Sequence, residues 1–91
     1  MNDFEHKVVL VTGAAGHLGR AVARRFAARG AALVLVDVDR SRLAAAHGDE
    51  HARLLFAAAD LRDAAQAAAA AQAALQRFGR IDALLNLAGG F

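Results

Sequence analysis

Four short apolar runs, separated by three segments of helical pattern, organise this chain. Val8 to Val11 is a continuous apolar run followed at once by Thr12 and a glycine cluster, which predicts a strand buried on both faces. From Leu18 the period changes. Leu18, Val22 and Phe26 recur every four residues with Arg20, Arg24, Arg25 and Arg29 between them, and Gly30 supplies a stop, predicting an amphipathic helix. Leu33 to Val36 is a second run, ending in Asp37. Asp39 can cap a short helix through Arg42 to His47, before Gly48. Leu54 to Ala58 is a third, weaker run that leads to Asp60. An alanine-rich helix follows, capped by Asp60 or Asp63, with Leu75 and Phe78 expected on its buried side and Gly79 as its stop. Ile81 to Leu87 is the fourth run, and Ala88, Gly89, Gly90 and Phe91 end the chain.

The order is therefore β-α-β-α-β-α-β. Strands alternating with helices over short links require parallel pairing and right-handed crossovers, hence an open α/β sheet. With the first strand central, the second and third fall on one side and the fourth on the other, giving strand order 3-2-1-4, the first half of a doubly wound, Rossmann-type fold.

Composition narrows the functional classes. The 91 residues suit one domain, spanning 1–91. No Cys is present, so disulfides, thiolate metal sites and cysteine nucleophiles are excluded. The pI of 10.4 overstates the basicity. The net charge is only +2, and the Arg residues are interleaved with acids, which speaks against nucleic-acid binding through a basic patch. Ala67 to Leu75 is too short and too weakly apolar to span a bilayer, and the MNDFEHK start is not a signal peptide. A cytoplasmic protein without membrane contact is the expectation.

The candidate chemistry lies at the strand ends. Thr12 to Gly19, TGAAGHLG, joins a buried strand to an amphipathic helix. Gly13 suits the tight turn, Gly16 removes bulk where backbone meets a pyrophosphate, and Gly19 lets the helix pack closely. The free amides and partial positive charge of the helix start then attract an anion. Ala15, His17 and Leu18 belong to the same loop and first turn, and His17 can hydrogen-bond a phosphate oxygen or face water. Asp37, roughly 20 residues beyond the glycines, can accept both adenosine ribose hydroxyls and would repel a 2′-phosphate. NAD is therefore favoured over NADP, although Arg40 nearby could receive that phosphate.

These elements together resemble the N-terminal part of the short-chain dehydrogenase/reductase family over nearly the whole chain. The resemblance rests on Thr12-Gly13 through Gly19, Asp37, Asp60-Leu61, and GRIDALLNLAGG from Gly79 to Gly90. It implies that Asp60 and Leu61 line the adenine pocket and that Asn86, Ala88 and Gly89 lie beside the cofactor ribose. Two features depart from the commonest pattern: His17 stands where a glycine is usual, giving the spacing of epimerase-like members, and Leu87 follows Asn86 where a second Asn is usual.

The family's active-site Ser, Tyr and Lys fall beyond the matched segment. This chain has no Tyr, one Lys (Lys7) and one Ser (Ser41), while His6, His47 and His51 lie in surface-like stretches. The expected role is the cofactor-binding part of an NAD(P)-dependent oxidoreductase, moving hydride between nicotinamide and an alcohol or ketone. The isolated chain should bind but not turn over. The alternatives are a non-catalytic dinucleotide-binding or redox-sensing module and an epimerase-type relative. A stop just after the fourth strand suggests truncation and an open apolar edge, through which the chain would self-associate or dock a complementing chain.

Overall fold

The computed structural model describes residues 3–87. Its elements are β1 (Val8–Thr12), α1 (His17–Ala28), β2 (Ala32–Asp37), α2 (Arg40–His47), β3 (Leu54–Ala58), α3 (Ala64–Phe78) and β4 (Ala83–Asn86). The four strands form one parallel sheet in the order β3-β2-β1-β4, the α/β, Rossmann-type topology expected from the pattern. Leu10 pairs with Val34 on one side and Leu84 on the other.

Handedness decides the layers. The crossovers β1 to β2 and β2 to β3 step in one direction, so right-handed connections put α1 and α2 on the same face, whereas the step from β3 back to β4 sends α3 to the opposite face. Alternate strand residues follow this division. Val9, Val11, Leu33, Leu35, Leu54 and Phe56 pack with Ala23 of α1 and Leu43 of α2. Val8, Leu10, Ala32, Val34 and Val36 pack with Ala70 and Ala74 of α3. Both central strands are buried along nearly their whole length, which is why they read as unbroken apolar runs.

The helix ends match their local chemistry. The Asp39 carboxylate accepts the Ser41 N–H at 2.9 Å, and the Asp63 carboxylate accepts the Ala65 N–H at 2.9 Å, each satisfying one of the amides that a first turn leaves unpaired. Gly79 ends α3 with φ 81°, in the left-handed region that glycine adopts without strain.

Two expected core positions are not in the core. Leu18 is 62% exposed, because α1 buries Gly19 and Ala23 instead and so presents a stripe one residue round from the one predicted. Leu75 is 43% exposed. The buried line of α3 runs through Ala70 and Ala74, one turn apart on the same face, and Leu75 lies about 100° round from Ala74. β4 is also shorter than the apolar run that predicts it, covering Ala83–Asn86 only.

Candidate functional site

The loop between β1 and α1 emerges at the carboxyl end of the sheet, beside the point where strand order reverses between β1 and β4. Gly13 has φ 67°, a conformation that L side chains rarely adopt. Gly19 is needed for space. A Cβ there would lie 2.6 Å from the Gly13 carbonyl oxygen and 2.7 Å from the Ala14 Cα. The expectation that Gly19 lets the helix approach the sheet is thus refined: its close approach is to the loop itself. At Gly16 a Cβ would meet only ordinary contact, 3.5 Å from the Gly13 oxygen, so packing within the chain does not require that glycine.

α1 starts without a side-chain cap. Gly16 occupies the cap position and no acid stands in the first turn, so the amides of His17 and Leu18 keep their capacity to donate. Both residues are exposed. An uncapped helix start with a partial positive charge is suited to an anion.

The rest of the loop is held from β2 and α2. The Ala14 N–H donates to the Val36 carbonyl at 3.1 Å. The Ala15 N–H donates to Asp37 Oδ2 at 3.0 Å, while Asp37 Oδ1 accepts the Val38 N–H at 2.8 Å. Each carboxylate oxygen accepts more than one hydrogen bond, so Asp37 can hold the loop and still receive hydroxyl donors. A third link comes from His47, whose Nε2 lies 2.6 Å from the Ala14 carbonyl oxygen. Half-buried and 6.5 Å from the Phe56 ring, His47 is not the solvated residue that its sequence surroundings suggest. No local signal marks this role, since Ala14 precedes it by 33 positions.

Across the switch point, the Thr12 hydroxyl donates to Asn86 Oδ1 at 2.7 Å and accepts the Leu87 N–H at 3.1 Å. Asn86 is thereby oriented through its oxygen, leaving its NH2 as the group able to donate elsewhere. Asn86 and Leu61 both line an apolar hollow of about 280 Å3, with Leu10, Val36, Ala70 and Leu84, on the α3 side of β1 and β4. Asp60 lies nearby in sequence but is engaged by Arg62, whose Nε and Nη2 each approach its carboxylate at 3.0 Å. Those hydrogen bonds hold the Asp60 carboxyl below its ordinary value. Ala88 and Gly89 lie outside the described residues.

The structure therefore brings Gly13, Ala15, Gly16, His17, Leu18, Gly19 and Asp37 into one loop-centred site, with Asn86 joined to it through Thr12. Leu61 shares the apolar hollow with Thr12 and Asn86 on the α3 side, and the Asp60 carboxylate is tied to Arg62. The uncapped amides and the glycine-built turn fit a diphosphate, and the Asp37 carboxylate fits a pair of hydroxyls. Among the described residues no group of His, Asp and Glu could hold a metal ion, and no helix is long and apolar enough to cross a membrane.

Known proteins share this fold. The chain is 47% identical over 90 residues to a 1,6-dihydroxycyclohexa-2,4-diene-1-carboxylate dehydrogenase of Pseudomonas putida, covering 96% of this chain and 33% of that protein. A 3-ketoacyl-(acyl-carrier-protein) reductase from Brucella melitensis, solved in complex with NADH, superposes with a TM-score of 0.83 at 40% identity, over 90% of this chain and 34% of the other. The C-domain of a bacterial malonyl-CoA reductase with NADP gives 0.88 at 31% identity, over 98% and 16%. The chain spans about a third of the length of the curated relatives it matches. Residues 7–91 match the short chain dehydrogenase family model, and with the sheet order and loop geometry above, this chain belongs to that family.

Proposed function

We propose that this chain is the dinucleotide-holding part of an NAD-dependent oxidoreductase that moves hydride between nicotinamide and an alcohol or ketone. The observation that carries the proposal is the uncapped start of α1 beside Asp37. When bound, the dinucleotide would supply the hydride chemistry, and the protein's part is position and electrostatics.

In this proposal the amides of His17 and Leu18 donate to the diphosphate, helped by the helix charge, while the Gly16 N–H donates to the Gly13 carbonyl at 3.2 Å and so holds the turn. Asp37 receives the adenosine ribose hydroxyls and disfavours a 2′-phosphate by like-charge repulsion. Asn86, oriented by Thr12, offers its NH2 beside the second ribose, and Leu61 contributes an apolar wall. Similar structures were solved with NADH and with NADP, so the preference rests on Asp37 in this chain.

The test is titration of the chain with NADH and NADPH, before and after Asp37→Ala. NADH binding should weaken more than NADPH binding. Equal losses, or none, would remove Asp37 from the ribose site.

A further inference from the structure

Arg40 begins α2 three residues after Asp37, where a guanidinium could receive a 2′-phosphate. Its side chain goes elsewhere. β3 is the outer strand on its side of the sheet. The Arg53 carbonyl accepts the Leu33 N–H at 2.8 Å and the Ala59 N–H donates to the Asp37 carbonyl at 2.9 Å. Peptide groups alternate in direction along a strand, so Phe56, an odd number of positions from each, turns its N–H and C=O outward to the free edge.

Two side chains take the place of a neighbouring strand there. Glu50 Oε2 accepts the Phe56 N–H at 2.9 Å. Arg40 Nη2 donates to the Phe56 carbonyl at 3.2 Å. The pair closes on itself, Arg40 Nη1 to Glu50 Oε1, at 2.9 Å. Phe56 pairs with Leu35, two residues and so about 6.6 Å short of the Asp37 level, and the guanidinium sits beyond it on the outer side of β3.

We propose that Glu50 strengthens the preference for NAD that Asp37 sets, by holding Arg40 on the β3 edge, away from the ribose corner occupied by Asp37. The assignment rests on the ribose role proposed for Asp37. An exposed ion pair by itself holds a side chain weakly, and here Arg40 is 54% and Glu50 36% exposed. The added main-chain hydrogen bonds give the arrangement its geometry. Without the Glu50 charge, Arg40 keeps one neutral carbonyl as its partner and is free to meet a phosphate, for which a guanidinium is the better-suited cation.

The experiment measures NADH and NADPH dissociation constants for the 91-residue chain at fixed ionic strength and compares their ratio. Glu50→Gln should shift the ratio toward NADPH by up to about fivefold, the upper end for one released surface pair. Adding Arg40→Ala to that variant should return the ratio to its starting value. Glu50→Asp, too short to reach both Phe56 and Arg40, should shift it in the same direction and serves if the glutamine variant does not fold by circular dichroism. An unmoved ratio in a folded Glu50 variant overturns the proposal, and so does a shift that survives Arg40→Ala. A parent chain that binds NADH with no response to Glu50 leaves the cofactor site intact and removes only the role of Glu50. A parent that binds neither dinucleotide overturns both.

Discussion

On the α1/α2 face of the sheet, Leu33, Leu35, Leu43 and Phe56 pack around Val9 and Val11, and polar side chains reach across from α2 and β2 to the loop backbone. On the α3 face the helix contributes Ala70 and Ala74 as its buried residues, Leu84 stands 62% exposed, and an apolar hollow remains beside β4. The same strands therefore carry two kinds of packing. One face combines large side chains with hydrogen bonds that fix the loop. The other is covered by a helix made largely from the residue of highest helix propensity, which buries Ala70 and Ala74 and leaves Leu61, Phe78 and Ile81 partly buried around them. The lesson is that positional precision is concentrated where the backbone must present its amides, and equivalent positions on the two faces should differ in their tolerance of change.

The largest contrast should come from Gly19→Ala. A Cβ cannot be accommodated against backbone atoms at 2.6–2.8 Å, so the first turn of α1 must move, at a cost of about 3 kcal/mol or more. Denaturant midpoints should fall and NADH binding should be lost. Ala68→Gly, at an exposed position of α3, should cost only about 1 kcal/mol through helix propensity and leave binding in place. Equal effects would erase the distinction between the faces.

His47→Ala should be next, at about 1–3 kcal/mol, because it removes the side-chain partner of the Ala14 carbonyl. Amide exchange at Ala14 and Ala15 should accelerate more than exchange within α3. Uniform acceleration would mean that His47 supports the fold in general rather than the loop.

Acid should separate the regions more gently. The Phe56 N–H, with the Arg40 side chain, holds the Glu50 carboxyl below its ordinary value, and desolvation opposes this only in part. A carboxylate lowered in the folded state contributes stability that is present above its unfolded value and is lost as pH falls. Below about pH 4.5, the ordinary glutamate value, the Phe56 amide should lose exchange protection before amides in the middle of α3. The reverse order would contradict the role of Glu50 at the β3 edge.

The smallest effect belongs to Leu84→Lys, which should change stability by no more than about 0.5 kcal/mol, as for an exposed position. A loss several times larger, read from the same denaturant curves, would show that the α3 side is better packed in solution than its exposure indicates.

Local patterning alone carries the element order, the 3-2-1-4 sheet and the glycine turn that opens α1. These follow from local periodicity, from glycine's tolerance of positive φ at Gly13, and from the handedness of parallel crossovers, all of which act over short stretches of chain. Which way each helix turns about its axis, and which distant partners its side chains find, is settled by packing between elements far apart in the chain. Leu18 and Leu75 read as core by spacing, yet the residues that α1 and α3 bury are Gly19, Ala23, Ala70 and Ala74, small side chains that apolar periodicity does not single out. The links from His47 to Ala14 and from Arg40 and Glu50 to Phe56 leave no periodic trace, since they depend on where an edge carbonyl or a loop peptide points after the strands have paired.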